Sequence, residues 1–425
     1  MQSKLALSLS TILLLSASSL HAIKFETLGY KSISMGGASV ASSTGSIATY
    51  NNPALLGKTP YTLEVSLGGG IGTYDHGALA SITKLDDSGF IDTLDKASQD
   101  VTTLTAADRQ NLIDGTGIII DMDGNAVTVT PQGYLAAQVS GFGFGVFGGS
   151  DSAVTAVVDQ AHDQLYFDNN GIYLDLYGTP ITQTQYEDES IEYAINNDLT
   201  YLDVTGAVLA EVPIAYGHNF ETTLGNIMVG GALKYMQAIT YTDRLKIDNS
   251  EEDGDDLKKD KTSSNFGLDL GVAYQPSFSY DLTFGLVAKN LNSPEFDFHD
   301  GSKYTIDPLV RAGIAYNIFD SLEVAADIDL TSNKVLTDGL ESQMVGGGLN
   351  YEPFESFFAL SLRAGLMQNL HSGDKAGLIY TAGMGIGVKW FQIDLSGQMS
   401  GNSNTIEDTT VPQYSKVNLA LISRW

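Results

Sequence analysis

Three stretches of this sequence carry residue types that could do chemistry. The first is Gly143-Phe-Gly145-Val-Phe-Gly148, which has the glycine spacing of a dinucleotide-binding turn. In that turn the glycines let a pyrophosphate approach the backbone between a strand and a helix N-terminus. Here Phe142, Phe144 and Phe147 interleave with the glycines in a strand-like run, and no helical pattern follows. The stretch therefore reads as small residues beside aromatics in a twisted sheet. The second stretch, Asn249 to Asp260, comes close to a calcium loop, with acids at oxygen-ligand positions and Gly254 at the sixth. Its first position is Asn, its last is Asp rather than Glu, and strand-like segments flank it. It reads as a solvated acidic loop, with weak divalent-cation association left open. Beyond the leader described below, the histidines are His76, His162, His218, His299 and His371, and none forms a metal-binding spacing. There is no cysteine, which removes disulfides, thiolate nucleophiles and Cys-metal sites. A Ser–His pair could still meet in space, but no local nucleophile motif supports one. The chain is expected to be no enzyme and to need no cofactor.

The third stretch is Ile47-Ala-Thr-Tyr-Asn51-Asn52-Pro53-Ala54-Leu-Leu-Gly57, preceded by Ser34-Met-Gly36-Gly37-Ala-Ser-Val-Ala-Ser42. Its chemistry is hydrogen bonding. Adjacent Asn side chains can satisfy loose backbone groups. Pro53 removes a donor and biases Asn52 toward an extended conformation. Gly36, Gly37 and the small residues around them allow close backbone approach. Such a segment suits a compact plug folded into a lumen, with Gly36, Gly37, Asn51, Asn52, Pro53 and Ala54 as its latch residues. The alternative is a mobile periplasmic leader.

A plug needs a wall, and the remaining sequence supplies one by alternation. In Phe391 to Met399, Phe391, Ile393, Leu395 and Met399 share one face, and Gln392, Asp394, Ser396 and Gln398 the other. Leu322 to Thr331 repeats this, with Leu322, Val324, Ala326, Ile328 and Leu330 opposed to Glu323, Asp327 and Asp329. Similar runs occur at Thr62–Tyr74, Leu202–Tyr216, Ile227–Tyr235, Phe266–Tyr274, Leu282–Lys289, Val310–Tyr316, Phe358–Leu366 and Tyr380–Val388. Period two marks two-faced strands, and their lengths suit a tilted membrane span. A soluble sandwich also has one apolar face. Aromatics near strand ends (Tyr74, Tyr216, Tyr274, Tyr280, Tyr316, Tyr351, Phe354, Tyr380, Trp390) favour a membrane girdle. The C-terminus favours it too. Val417, Leu419 and Leu421 alternate toward a terminal Trp425, similar to the signal read by the outer-membrane barrel-assembly machinery, although Ser423 replaces the usual apolar residue. The expected fold is an all-β, antiparallel outer-membrane barrel of about fourteen strands with the N-terminal plug in its lumen. Asp327, Asp329, Glu323, Asp394 and Arg363 would then face the lumen.

Export fits this fold. Residues 1–22 have Lys4, an apolar core from Leu5 to Leu15 and a small-residue end at Ala22, and so read as a signal peptide, with a membrane anchor as the alternative. The plug is placed at 23–58 and the barrel at 59–425. With 51 Asp+Glu against 22 Lys+Arg, a formal charge of −29 makes nucleic acid an unfit partner. Two insertions interrupt the barrel pattern, at about 85–132 and 159–198. The first is expected to hold a helical piece, Phe90 to Asp114, then a hairpin of Gly117–Asp121 and Asn125–Thr130 turning at Asp123-Gly124. The second holds a hairpin around Asn169-Asn170-Gly171 and an acidic stretch, Glu187 to Glu192.

Met35-Gly-Gly-Ala-Ser-Val-Ala41 followed by Tyr50-Asn-Asn-Pro-Ala-Leu-Leu-Gly57 resembles the N-terminal hatch of the long-chain fatty-acid transporter (FadL) family, with Asn52, Pro53 and Ala54 matching its Asn-Pro-Ala box. Gly285-Leu-Val-Ala-Lys-Asn-Leu-Asn292 resembles a strand end common in such barrels. Val324 to Asn333 and Leu362 to Leu370 look most like the subgroup named after the conjugal-transfer protein TraF. The resemblance covers the plug and 262–425. It implies a FadL/PorV-type barrel in the Gram-negative outer membrane, in contact with lipid. The functional expectation is passage of a hydrophobic or amphipathic small-molecule ligand. The alternative is a docking barrel of a conjugation or secretion apparatus, with the acidic stretches 186–192 and 248–260 as contact surfaces.

Overall fold

The computed structural model describes residues 27–247, 260–279, 281–334, 341–355, 357–371, 376–406 and 409–425. The signal-peptide region, Tyr280 and all of the 249–260 loop except Asp260 lie outside the described residues. Fourteen strands form one closed barrel. They are β1 (Leu63–Asp75), β2 (Ala126–Val139), β3 (Phe142–Val157), β4 (Tyr201–Thr222), β5 (Gly225–Lys246), β6 (Asp260–Pro276) and β7 (Leu282–Lys289), followed by β8 (Leu309–Phe319), β9 (Leu322–Asp329), β10 (Met344–Glu355), β11 (Phe358–Asn369), β12 (Ile379–Val388), β13 (Phe391–Ser400) and β14 (Tyr414–Arg424). Each pairs antiparallel with its sequence neighbours, and β1 closes on β14 through Glu64↔Arg424 to Tyr74↔Tyr414. Closure leaves no open edge, which lipid could not satisfy. No described helix is long and apolar enough to cross a membrane, which says nothing of a barrel, whose spanning elements are strands.

Side chains obey the expected alternation. Leu67, Ile71, Leu135, Ile214, Leu233, Leu268, Ile393, Leu395, Val417 and Leu419 are exposed on the outer face. Asp327, Asp329, Arg363 and Asp394 are buried on the inner face, as their positions predict. Tyr216, Tyr316, Tyr351, Phe354, Tyr380 and Trp390 are outward and exposed, as an interfacial girdle requires. Tyr74 departs from the expectation. It has the parity of inward Glu64 and Ser66, and its ring lies 3.7 Å from that of His76 and 6.1 Å from that of Tyr414. Its hydroxyl also accepts a hydrogen bond from the Ala376 N–H at 2.9 Å.

One end of the barrel carries six connections of two to five residues. The other carries the long segments 76–125 and 158–200 and loops such as 290–308. Short turns mark the periplasmic end of such a barrel. The plug, described below, contains two short helices, α1 (Tyr30–Ser34) and α2 (Ala48–Asn51). The long segments contribute α3 (Ala78–Asp87), α4 (Phe90–Asp100), α5 (Ala106–Asp121), α6 (Gln183–Glu189) and α7 (Ile191–Asn196). A hairpin of Tyr166–Asp168 and Tyr173–Asp175 spans the Asn169-Asn170-Gly171 turn. These pieces share one apolar core, including Leu85, Phe90, Leu112, Ile119, Phe167 and Ile191. The same core takes Leu202 and Val204 from β4. Those two share parity with outward Val212 and Ile214, so the cap lies against the outer face of the tall strands at the long-loop end.

Two sequence expectations change here. Gly117–Asp121 is the last turn of α5, not a strand, and Ala126–Thr130, a strand as expected, is the start of β2 and pairs with β1 and β3 rather than with Gly117–Asp121. Ile118-Ile119-Ile120 reads as strand by propensity, but packing decides. A capping box starts α5: the Thr105 N–H donates to Asp108 Oδ2 at 2.7 Å and the Asp108 N–H donates to Thr105 Oγ1 at 3.1 Å. Leu112, Thr116 and Ile119 then bury one helical face. Glu192, at the end of the acidic stretch that the docking alternative would use as a contact surface, is buried. It accepts from the Asp168 N–H at 2.9 Å, and burial pushes its carboxyl above the usual range.

Candidate functional site

The segment from Leu28 to Leu56 is almost wholly buried and lies among the inward side chains of the barrel. Its regular pieces are α1, the turn Gly45–Ile47, α2 and the 3₁₀ helix Pro53–Lys58. Backbone bonds within it, such as Asn52 N–H to Ala48 C=O at 3.0 Å, hold it together. Its small residues follow from this packing, because a folded segment touching a wall on all sides has little room for side chains.

The Asn-Pro-Ala box has a distinct seat. Asn52 is extended (φ −159°, ψ 104°), as the following proline demands. Its Oδ1 accepts from the Ala54 N–H at 3.1 Å and caps the 3₁₀ helix. Its Nδ2 donates to the Val40 C=O at 2.8 Å, joining the two halves of the plug. Asn51 Nδ2 donates to Ser43 Oγ at 2.9 Å. Three wall glycines on adjacent strands meet the box. A carbon at Gly217 would lie 2.3 Å from the Pro53 oxygen, one at Gly230 2.4 Å from the Pro53 carbonyl, and one at Gly271 2.0 Å from Asn52 Oδ1. Gly36 (φ 64°) sits in the left-handed region, and a side chain there would strike the wall at the Leu366 and Gly347 oxygens, 2.3 and 2.5 Å away. Gly37 (φ 85°) needs glycine for its conformation, since the space beside it is open. Ala54 is fully buried against Leu55, Leu56 and Ala232. The six latch residues expected from sequence thus share one folded segment. They form two contact regions, one around Gly36 and one around Pro53.

Sequence reading did not find what fastens the plug to the wall. Asp327 Oδ2, on β9, accepts the Ser39 and Val40 N–H groups at 2.7 and 2.9 Å. Glu64, on β1, accepts the Ser46 N–H at 2.8 Å and the Ser46 hydroxyl at 2.9 Å, while its other oxygen takes Arg424 Nε at 3.0 Å. Thr381 donates to the Ser34 C=O and accepts from the Gly36 N–H, both at 2.9 Å. Lys31 on the plug pairs with Glu323 at 2.6 Å. The Lys289 ammonium lies 3.2 Å from the centre of the Tyr50 ring. Apart from Ser46 and Glu64, which are 18 residues apart, the partners are hundreds of residues apart, and no local motif announces any of them. The only available signal was an acid or hydroxyl on the inward parity of a strand.

The other chemistry-bearing stretches fall elsewhere. Gly143-Phe-Gly145-Val-Phe-Gly148 lies within β3, and a carbon at Gly143 would come 2.1 Å from Thr49 Oγ1 of the plug. Its glycine therefore makes room for the plug. No group of three or more His, Asp or Glu arranged to hold a metal occurs among the described residues. Val417, Leu419 and Leu421 point outward along β14, and Trp425 is exposed at its end.

A comparison with curated proteins found no match. Among solved structures, a TodX monoaromatic hydrocarbon channel mutant (deltaS2S3) superposes with a TM-score of 0.50 at 13% identity, over 94% of this chain and 99% of its own. The Pseudomonas putida toluene transporter TodX gives 0.47 at 13%, over 95% and 98%. The Ralstonia pickettii toluene transporter TbuX gives 0.48 at 14%, over 94% and 99%. At such identities the first of these likenesses speaks for the fold alone. The family model described as "F plasmid transfer operon, TraF, protein" matches residues 49–329, more than half of the chain, and the chain belongs to that family.

Proposed function

We propose that this barrel passes hydrophobic or amphipathic small molecules across the outer membrane of a Gram-negative bacterium, with residues 34–57 as its gate. One observation carries the reading. The lumen is filled by a segment fastened to the wall through side-chain hydrogen bonds, so it can shift without breaking the barrel's strand ladder. A ligand that prefers the shifted state draws the population toward it. Asn51 and Asn52 act as the latch inside the plug, and Pro53 limits its alternatives. The structural neighbour named as a monoaromatic hydrocarbon channel fits this ligand class. Val417, Leu419, Leu421 and Trp425 serve the barrel-assembly machinery.

Replacing Asn52 and Pro53 together by alanine removes two hydrogen bonds and a conformational restraint. Each neutral bond contributes about 1 kcal/mol, so the plug's open-to-closed ratio rises by about one to two orders of magnitude. Uptake of toluene or decanoate by intact cells should change several-fold, while the heat-dependent electrophoretic shift of the folded barrel stays as in the parent. Unaltered uptake would remove the latch.

The family description, which ties relatives to a plasmid transfer operon, favours a second reading as a docking barrel. The cap is its natural contact surface. Pull-down with and without residues 158–200 tests it, and partners retained without that segment would clear the cap of the role.

A further inference from the structure

Inward positions of a membrane barrel are polar as a rule, and this wall keeps the rule at Glu211, Lys234 and Asp269. Just beyond them it breaks the rule. Ala207 and Leu209 on β4 and Met236 and Ala238 on β5 form an apolar patch on the lumen side, above the plug. It is not open. The 290–308 loop folds back as a small hairpin, Glu295–Asp297 against Lys303–Thr305, and sets Phe296 and Ile306 on the patch. Phe296 is fully buried there.

The fastening is slight. Asp297 C=O accepts from Thr240 Oγ1 at 2.7 Å, Asp297 N–H donates to Ser263 Oγ at 3.2 Å, and Glu295 C=O accepts from Asn265 Nδ2 at 3.0 Å. The hairpin's own ladder is three residues long, and its Lys303–Glu295 pair at 2.5 Å is solvent-exposed. Two-stranded hairpins of this size are marginal alone, and exposed ion pairs contribute little. Beside the patch lies a cavity lined by Tyr50 of the plug, by Lys289, Asn290 and Asn333 of the wall and loops, and by Tyr304 and Ile306. An apolar surface therefore adjoins a polar one, directly over the plug.

We infer that Phe296 and Ile306 are built-in, displaceable occupants of a ligand site. The apolar part of an amphipathic small molecule takes the patch of Ala207, Leu209, Met236 and Ala238, its polar end takes the Lys289–Asn333 side, and the hairpin swings out to admit it. The inference rests on the passage reading above, but it concerns binding and can be tested without transport.

The purified barrel, in lipid nanodiscs, is the test system. Trp390 and Trp425 are both exposed at the short-turn end, so Phe296→Trp in a Trp390→Phe, Trp425→Phe background places one reporter on the patch. Its emission should be blue-shifted and shielded from iodide. Saturating decanoate should shift it red and raise iodide quenching at least threefold. Because the chain has no cysteine, Ile306→Cys gives a second, smaller variant with a unique thiol. Its reaction with a water-soluble maleimide should be slow alone and at least tenfold faster with decanoate. Binding of decanoate by equilibrium dialysis, with neither reporter responding, would overturn the inference, as would the absence of any binding. Reporter responses without uptake in cells would leave the site standing and remove the passage reading.

Discussion

An Asp327→Ala barrel should assemble normally and leak. Asp327 is the wall's strongest hold on the first half of the plug, since one carboxylate oxygen takes two backbone N–H groups at 2.7 and 2.9 Å and the Ser39 hydroxyl at 3.2 Å. Hydrogen bonds to a charged acceptor contribute about 1.5–3 kcal/mol each. The carboxylate's own burial opposes this, because a buried charge loses its hydration. The substitution also leaves two amides without their acceptor, at about 1–3 kcal/mol each. A net loss of about 2–4 kcal/mol is therefore expected, which multiplies the released fraction by about 30 to 1,000. Single channels in planar bilayers should show a matching rise in open time, and cells should admit large antibiotics that the parent excludes. Asp327→Asn keeps one acceptor and should fall between the two. The barrel itself should be unharmed, because Arg311 keeps its two-pronged pair with Asp329, at 2.5 and 3.0 Å. Conductance equal to the parent's, with the folded-barrel shift intact, would show that Asp327 does not restrain the plug.

The barrel was legible because lipid imposes a strict rule on one face of every strand. Leu322–Thr331 and Phe391–Met399 obey it openly. It fails where something other than lipid or water covers the wall. Ala126 to Thr130 of β2 is buried on both faces, so its Thr and Val residues do not sort into apolar and polar sides. In β10 the inward positions 346 and 348 are glycines, and carbons there would meet Gly36 O at 2.0 Å and Met35 Cα at 2.7 Å. A strand whose inner residues have been pared away to admit the plug shows no alternation to read. The plug box was legible from Asn52-Pro53-Ala54, because local backbone demands fix those residue types. Its fastenings were not. Asp327 and Ser39 are 288 residues apart, and only the closed sheet brings them together.

The paring-away yields the second large effect. Gly230→Val should expel the Asn-Pro-Ala box from its seat while leaving the sheet in register. A side-chain carbon at Gly230 would lie 2.4 Å from the Pro53 carbonyl carbon and oxygen and 2.5 Å from the Ala54 nitrogen. All three are backbone atoms, so no rotamer relieves the overlap. Either the wall or the plug must move. The wall is pinned by continuous ladders on both sides, from Tyr201↔Lys246 to Thr222↔Gly225 and from Gly225↔Pro276 to Tyr241↔Asp260. The box is held at this end by its own side-chain bonds and by contact with Ala215, Met228 and Ala232. The plug gives way first. Overpacking of this kind costs about 1–3 kcal/mol, occasionally more, and valine adds β-branching that suits the strand. The open fraction should therefore rise about fivefold to about 150-fold. Gly231 supplies the control. It faces outward, where a carbon would sit 3.2 Å from the flexible end of Leu270. Gly231→Ala should conduct like the parent, whereas Gly230→Ala should already open the pore in part. Equal conductance for the two alanine variants would mean that the glycines at the box do not set the fit of the plug. Their inward placement on β4, β5 and β6 would then need another cause.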